Sequence, residues 1–223
     1  MATVLITGAN RGIGLALAQR FAARGDDVIG VCRNGSEALA GTGARVEAGV
    51  DVTDGAAVEA LAQRLGDVRI DTLVLNAGIL AQESLGQIDD AGFDAMRRQF
   101  EVNALGPLRV AQALRGHLAD GGRIGIITSR MGSVADNSSG GYYGYRASKA
   151  AVNAIGKSLA EDLRSRGIAV ALLHPGYVAT DMVGGHGDVS PAQAATQLVA
   201  RLDALTLEHS GSFWHANGSP LPW

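Results

Sequence analysis

The chain has 223 residues, of which 47% are hydrophobic and 18% charged, and its formal net charge is −3 at pH 7. This composition predicts one globular domain over residues 1–223, and the lack of a basic excess argues against a nucleic-acid partner. The single cysteine, Cys32, excludes an internal disulfide, and the five histidines lack zinc-type spacing, so no metal site is predicted. The apolar run Thr3–Thr7 is too short for a signal peptide and no span of about 18 apolar residues occurs, so we expect a cytoplasmic protein without a membrane segment.

Short apolar runs alternate along the chain with stretches of helical periodicity. The runs predicted as strands are Thr3–Thr7, Asp27–Val31, Arg45–Val50, Thr72–Leu75, Arg123–Thr128, Ile168–Leu173 and Ser212–Ala216. The stretches predicted as amphipathic helices are Gly12–Arg24, Gly55–Leu65, Gly92–Leu118 and Tyr142–Arg166. Because continuously apolar strands are typical of sheets buried on both faces, the pattern predicts an α/β fold: one doubly wound parallel sheet with helices on both faces.

A glycine-rich turn directly follows the first predicted strand and opens the first predicted helix. In this context glycines let a pyrophosphate approach the backbone and the helix N-terminus, although the same glycines also suit a plain tight turn. The chain has no complete Walker A motif, Gly-x-x-x-x-Gly-Lys followed by Ser or Thr, so a dinucleotide is favoured over ATP. The candidate cofactor-binding residues of this turn are Gly8, Asn10, Arg11, Gly12, Ile13 and Gly14.

The residues after the second and third predicted strands bear on which dinucleotide is bound. NAD-binding folds place an acidic side chain about 20 residues beyond the glycines, where this chain has Cys32 and Arg33. Arg33 and Arg11 can pair with a 2′-phosphate, so NADP(H) is predicted to be preferred over NAD(H), unless both arginines are merely solvated surface cations. Asp51 and Val52 are candidates to flank the adenine, and Asp51 could instead cap a helix.

Tyr145 and Lys149 lie four residues apart on one predicted helix face. A phenol has a pKa near ~10, and a neighbouring ammonium lowers it by stabilising the phenolate. The pair is therefore a candidate proton donor with its own cation. The alternative is a buried helix tyrosine beside a surface lysine.

These residues, with others in order along almost the whole chain, resemble the short-chain dehydrogenase/reductase family. The resemblance includes Asn76-Ala77-Gly78, Asn103, Ser129, and Pro175-Gly176 leading to Thr180, and within the family it is closest to small carbonyl-reductase-like and C-factor-like members. It implies a single Rossmann-type parallel sheet of about seven strands. It also implies Tyr145 as general acid/base, Ser129 as a donor to the substrate oxygen, and Lys149 as the group that lowers the Tyr145 pKa and holds the nicotinamide ribose.

The resemblance assigns further roles around this centre. Asn103 would anchor a water that leads from Lys149 to solvent, although its side chain could instead make a local backbone bond. Asn76, Ala77 and Gly78 would back the adenine ribose, although Asn76 could be only a turn residue. Thr180 and the Val178 backbone would hold the carboxamide of the cofactor, and Pro175 and Gly176 are further candidate cofactor-binding residues.

The spacing between serine and tyrosine departs from the family pattern. Ser129 stands 16 residues before Tyr145, a few more than is usual, and the loop 137–141 can absorb the excess. Ser133 is the rival donor. Ser129 is preferred because it directly follows a strand, where ligand-facing groups lie in open α/β sheets.

The substrate side of the site is predicted less specifically. Residues 183–188 are a candidate mobile lid, short enough for an open site with small or varied carbonyl substrates. Self-association as a homodimer or homotetramer is expected through the two long helices. The candidates for an apolar pocket wall are Met131, Tyr142, His174, Met182 and Trp214.

The expected function is NADP(H)-dependent reduction of a carbonyl compound, or oxidation of a secondary alcohol. The alternative is a nucleotide-binding signalling protein of the C-factor kind with little or no turnover. Intact Ser129, Tyr145 and Lys149 argue for the enzyme, because a sensor has no need of a tuned phenol.

Overall fold

Seven parallel strands form one sheet, and the computed structural model describes residues 1–223. In chain order the strands are β1 (Thr3–Thr7), β2 (Asp27–Val31), β3 (Arg45–Glu47), β4 (Ile70–Leu75), β5 (Leu118–Ile127), β6 (Ala169–His174) and β7 (Ser212–His215). Their order across the sheet is β3-β2-β1-β4-β5-β6-β7, and every neighbouring pair is parallel. The predicted α/β class with a doubly wound parallel sheet is therefore confirmed.

Helices connect the strands and cover both faces of the sheet. They are α1 (Gly12–Ala23), α2 (Glu37–Ala40), α3 (Gly55–Leu65), α4 (Asp90–Phe100), α5 (Gly106–Ala113), α6 (Tyr143–Asp162) and α7 (Pro191–Asp203). Buried residues of α3, α5 and α6 pack on one face, and buried residues of α1 and α7 pack on the other. Because both faces are covered, the strands need apolar side chains in both directions, which explains their continuously apolar sequences.

The predicted helix Gly92–Leu118 is wrong as a single element. The chain forms α4, then a π-helical turn over Glu101–Leu105, then α5, and Leu118 already begins β5. Pro107 has no N–H to bond back to the Asn103 carbonyl, so the regular helical ladder is interrupted there. The π turn carries Asn103 into the interior of the protein, where its side chain is 1% exposed.

Other boundaries shift by a few residues, and two helices were not predicted. The third strand ends at Glu47 rather than Val50, and β5 begins five residues earlier than expected. The unpredicted helices are α2 and α7. A local signal for α7 was available, because Ser190 and Gln193 form a capping box at its start.

The strand order reverses between β1 and β4: β2 and β3 are added on one side of β1, and β4 to β7 are added on the other side. In open α/β sheets this switch point creates a crevice at the carboxyl ends of the strands, where ligands bind. No helix of the protein is both long and apolar enough to cross a membrane.

Candidate active site

A cleft of about 950 Å³ opens at the carboxyl ends of β1, β4, β5 and β6. It is lined by every residue predicted to bind cofactor or to perform chemistry except Gly14 and Asn103. The lining residues predicted from the sequence are Gly8, Asn10, Arg11, Gly12, Ile13, Arg33, Asp51, Val52, Asn76, Ala77, Gly78, Ser129, Tyr145, Lys149, Pro175, Gly176, Val178 and Thr180. The fold therefore brings residues from both halves of the chain into one site.

The glycine turn after β1 packs against both α1 and the end of β4. A Cβ on Gly14 would lie 2.1 Å from the Gly8 carbonyl oxygen, so only glycine allows α1 to start this close to the turn. Asn76 Nδ2 donates to the carbonyls of Thr7 (3.0 Å) and Gly8 (3.2 Å), which joins β4 to the turn. Asn76 is thus more than a turn residue, and the start of α1 faces the cleft as the fold requires for a pyrophosphate.

Arg33 and Asp51 face each other in the cleft, just beyond the ends of β2 and β3. Their side chains are 3.9 Å apart and partly exposed. Burial alone would raise the pKa of Asp51, but hydrogen bonds from Thr53 and the charges of Arg33 and Arg98 bring it below its usual value. Asp51 does not cap α3, because that position belongs to Asp54.

Arg11 makes an ion pair across the opening of the cleft. Its guanidinium lies 3.0 Å from Asp181, 170 residues away, and both side chains are largely exposed. The pair joins the glycine turn to the segment after β6. Nothing in the sequence indicated Asp181, because a pair so distant along the chain has no local pattern.

Tyr145, Lys149 and Ser129 lie together on the inner wall of the cleft. Tyr145 is 8% exposed, Lys149 4% and Ser129 7%. The Lys149 ammonium lies 5.7 Å from the centre of the Tyr145 ring and donates to the Ile127 carbonyl at 2.9 Å. The alternative of a surface lysine is therefore wrong.

The pKa values of Tyr145 and Lys149 are shifted in opposite directions. Burial raises the pKa of Tyr145 to about 12, and the neighbouring Ser129 hydroxyl opposes part of this rise. Burial lowers the pKa of Lys149 to about 8. The pKa of Tyr145 is therefore raised overall, opposite to the expectation that Lys149 lowers it, because burial disfavours the phenolate more than its neighbours stabilise it.

Asn103 lies behind the cleft rather than in its wall. Its Oδ1 accepts from the Ile79 N–H at 2.8 Å, and its Nδ2 donates to the Ile79 carbonyl (2.9 Å) and to Ser148 Oγ (3.0 Å). These partners are 24 and 45 residues away, so the alternative of a local backbone bond is wrong. Asn103 ties the segment after β4 to α6 beside Lys149.

The rival Ser133 does not face the cleft. Its hydroxyl donates to the Trp223 carbonyl and accepts from the Asp136 N–H, both at 3.1 Å. The extra residues before Tyr145 form a loop held by Arg146, which donates to Gly141 O, Ser139 Oγ and Met131 O.

Four of the five candidates for a pocket wall line the cleft: Met131, Tyr142, His174 and Met182. Trp214 does not, because it lies in a separate shallow pocket near Pro220 and Leu221. Burial, with the nearby His215, lowers the pKa of His174 to about 4, so its imidazole is neutral at pH 7. Of the candidate lid only Val183 reaches the cleft.

Comparison with known proteins identifies the family. The family model for short chain dehydrogenases matches residues 2–190. The chain therefore belongs to the short chain dehydrogenase family and is an oxidoreductase of that family.

Three similar proteins narrow the comparison. The 1-hydroxy-2-glutathionyl-2-methyl-3-butene dehydrogenase of Rhodococcus sp. (strain AD45) is 45% identical over 229 residues, covering 100% of both chains. The C-signal of Myxococcus xanthus is 43% identical over 157 residues, covering 69% of this chain and 93% of that protein. The NADPH-bound carbonyl reductase from chicken fatty liver is similar in structure, with a TM-score of 0.90 at 29% identity, covering 100% of this chain and 99% of that one. These relatives support a nicotinamide cofactor and do not favour the signalling alternative.

Proposed function

We propose that the protein is an NADP(H)-dependent carbonyl reductase that also oxidises the corresponding secondary alcohols. The observation that carries this proposal is the burial of Tyr145, Ser129 and Lys149 on one wall of a cleft whose other end is a glycine turn. The single cysteine, Cys32, is buried and unpaired, which suits the cytoplasm in which we place the enzyme.

The proposed mechanism assigns one task to each side chain. When bound in the cleft, the nicotinamide cofactor would supply the hydride that the carbonyl carbon accepts. Tyr145 donates its proton to the carbonyl oxygen, and its raised pKa keeps the phenol protonated at neutral pH until charge develops on that oxygen. Ser129 donates a hydrogen bond to the same oxygen.

Lys149 has a positioning and an electrostatic task in this proposal. With its pKa near 8, it is largely charged at pH 7 and stabilises the phenolate that proton transfer leaves behind. The ammonium would also hold the nicotinamide ribose, with Asn103 fixing the backbone beside it. After β6, Thr180 and the Val178 backbone would hold the carboxamide, and Pro175 and Gly176 would also contact the cofactor.

The preference for NADP(H) rests on the adenine end of the cleft. Arg33 and Arg11 both line the cleft, and each has only one carboxylate as a partner, the partly exposed Asp51 for Arg33 and the largely exposed Asp181 for Arg11. A 2′-phosphate carries more charge than either carboxylate and would attract both guanidinium groups. Asp51 would then accept a hydrogen bond from the adenine amino group. Asn76, Ala77 and Gly78 would lie against the adenine ribose.

The decisive test is turnover with NADPH against a panel of quinones, diketones and aldehydes, with a Tyr145→Phe variant as control. We expect NADPH oxidation by the parent and a loss of at least about a hundredfold in the variant, since it lacks the proton donor. The panel should include 1-hydroxy-2-glutathionyl-2-methyl-3-butene with oxidised cofactor, because the Rhodococcus relative is named for that alcohol. No turnover by the parent, or equal turnover by Tyr145→Phe, would contradict the proposal.

A further inference from the structure

A buried carboxylate lies at the start of α6 and has no task in the proposed chemistry. Glu83 is 6% exposed and makes no ion pair with any Lys, Arg or His. One of its carboxylate oxygens accepts from the Gly144 N–H at 3.1 Å, and the other accepts from the Gln99 side-chain amide. Since a buried carboxylate is costly unless its oxygens are satisfied, this arrangement calls for an explanation.

The beginning of α6 depends on Glu83 for its capping. The N-cap residue, Tyr142, has a left-handed backbone (φ 53°) and makes no side-chain capping bond. Its N–H donates to the Glu83 main-chain carbonyl at 3.0 Å, and the Glu83 carboxylate takes the N–H of Gly144 in the first turn. A negative charge at this end of a helix is also stabilised by the helix dipole. A residue 61 positions away therefore supplies the cap that the local sequence lacks.

Gln99 fixes the other side of this carboxylate. Its side chain is fully buried, and its Oε1 accepts from the Ala81 N–H at 2.9 Å while its amide donates to Glu83. Gly144 leaves no spare room there, because a Cβ on it would lie 2.7 Å from Gln99 Nε2. The residue directly before Tyr145 is thus clamped between Glu83 and Gln99.

This clamp, formed by Glu83 and Gln99 around Gly144, resembles the set of hydrogen bonds made by Asn103 one helical turn away. Gln99 and Asn103 are four residues apart, and each holds a backbone N–H of the segment after β4. Gln99 reaches Gly144 through the Glu83 carboxylate, and Asn103 bonds Ser148 directly. Gly144 and Ser148 are also four residues apart on α6. Each linkage ends on the residue before a proposed chemical group, Tyr145 in one case and Lys149 in the other.

We propose that Glu83 and Gln99 are positioning residues that set where the Tyr145 phenol stands in the cleft. The inference rests on the proposed function, in which Tyr145 is the proton donor. Leu80 and Gln82, on either side of the Ala81 that Gln99 holds, line the cleft, so the clamp also fixes the Tyr145 helix relative to one wall of the proposed substrate site.

The test exchanges the side chains of Glu83 and Gln99, singly and together, in the full-length protein. In Glu83→Gln, one of the two accepting oxygens is replaced by an NH₂ group, which then faces another N–H donor. In Gln99→Glu, the side chains at positions 83 and 99 are two carboxylates that face each other. In the double variant Glu83→Gln/Gln99→Glu, the amide at position 83 can donate to the carboxylate at position 99, and all three backbone and side-chain bonds are restored. Glu59→Gln, on an exposed part of α3, is the matched control for the same chemical change.

We expect each single variant to lose about tenfold in kcat while its Kd for NADPH stays within about twofold of the parent, since a mismatched buried hydrogen bond displaces the donor without touching the nucleotide end. The double variant should recover kcat to within about threefold of the parent. A parental kcat in Glu83→Gln would overturn the inference. So would a folded double variant, with the parental thermal midpoint, whose kcat stays about tenfold low.

The same assay separates this inference from the proposed function. If Tyr145→Phe retains turnover, the proposed function fails and the positioning role fails with it. If Tyr145→Phe is inactive and Glu83→Gln turns over like the parent, only the positioning role fails. Where the single variants do not fold, the kcat of the double variant decides the question alone.

Discussion

At the scale of single residues, burial sets the chemistry of the site more strongly than neighbouring charge. The pKa of Tyr145 is raised to about 12, and that of Lys149 is lowered to about 8, with burial as the leading cause in both cases. At pH 7 this leaves a protonated phenol beside a largely charged ammonium. In the proposed mechanism, the phenol is thus in the protonated form that carbonyl reduction requires.

Arg33, which we propose binds the 2′-phosphate of NADP(H), yields a prediction at the same scale. We expect the parent to bind NADPH more tightly than NADH, and Arg33→Ala to shrink that gap by about tenfold, because one charge-assisted contact to the 2′-phosphate is lost. Fluorescence titration of each cofactor measures the effect. Arg20→Ala, an exposed arginine outside the cleft, should leave both affinities unchanged. Equal affinities for the two cofactors in the parent would refute the preference.

At the scale of elements, the candidate site lies where two helices begin and beside the π-helical turn between α4 and α5. The first turn of α1 lies against the glycine turn, the first turn of α6 is capped by Glu83, and the π turn carries Asn103 inward. Helix starts leave N–H groups unpaired, which makes them natural places for ligands and distant caps. The candidate site is thus defined by the ends of helices and by one irregular turn rather than by regular strands.

Gly14 allows this arrangement to be tested at the scale of an element. Gly14→Ala should force α1 away from the turn, because its Cβ would overlap the Gly8 carbonyl, and should cost about 1–3 kcal/mol of unfolding free energy together with weaker NADPH binding. Urea denaturation and cofactor titration measure both effects. Gly116→Ala is the matched control, since a Cβ there meets nothing within 4 Å. An unchanged affinity and stability in Gly14→Ala would contradict the proposed close packing.

At the scale of the whole molecule, an apolar surface on α4 and α5 remains uncovered. Phe93 is 48% exposed, Phe100 41% and Leu108 37%, and Tyr143 at the start of α6 is 37% exposed. Phe93 and Phe100 are two helical turns apart and so share a face. These residues lie on the helices through which we expect self-association.

We expect the protein to be a dimer or tetramer at micromolar concentration and Phe100→Asp to shift it towards the monomer, because the introduced charge would be buried in the interface. Analytical ultracentrifugation measures the change. Leu85→Asp, which alters an 82% exposed side chain outside these helices, serves as the control. A monomeric parent, or a Phe100→Asp variant that assembles like the parent, would contradict this interface.

Local patterns in the sequence determined the strands, the helices α1, α3 and α6, the glycine turn and the Tyr145–Lys149 pair. Such patterns depend on neighbours within about four residues, so they can be read without knowing the path of the chain. The parallel sheet followed from the same evidence, since strands buried on both faces must be apolar throughout.

Tertiary structure decided what the chain brings together over longer distances. It placed Ser129 in the cleft and turned Ser133 towards Trp223, broke the long helix at Asn103, and paired Arg11 with Asp181. It also brought Glu83 to the start of α6 and reversed the expected shift in the pKa of Tyr145. These features depend on burial and on contacts between residues as far as 170 positions apart, and both exist only once the sheet has formed.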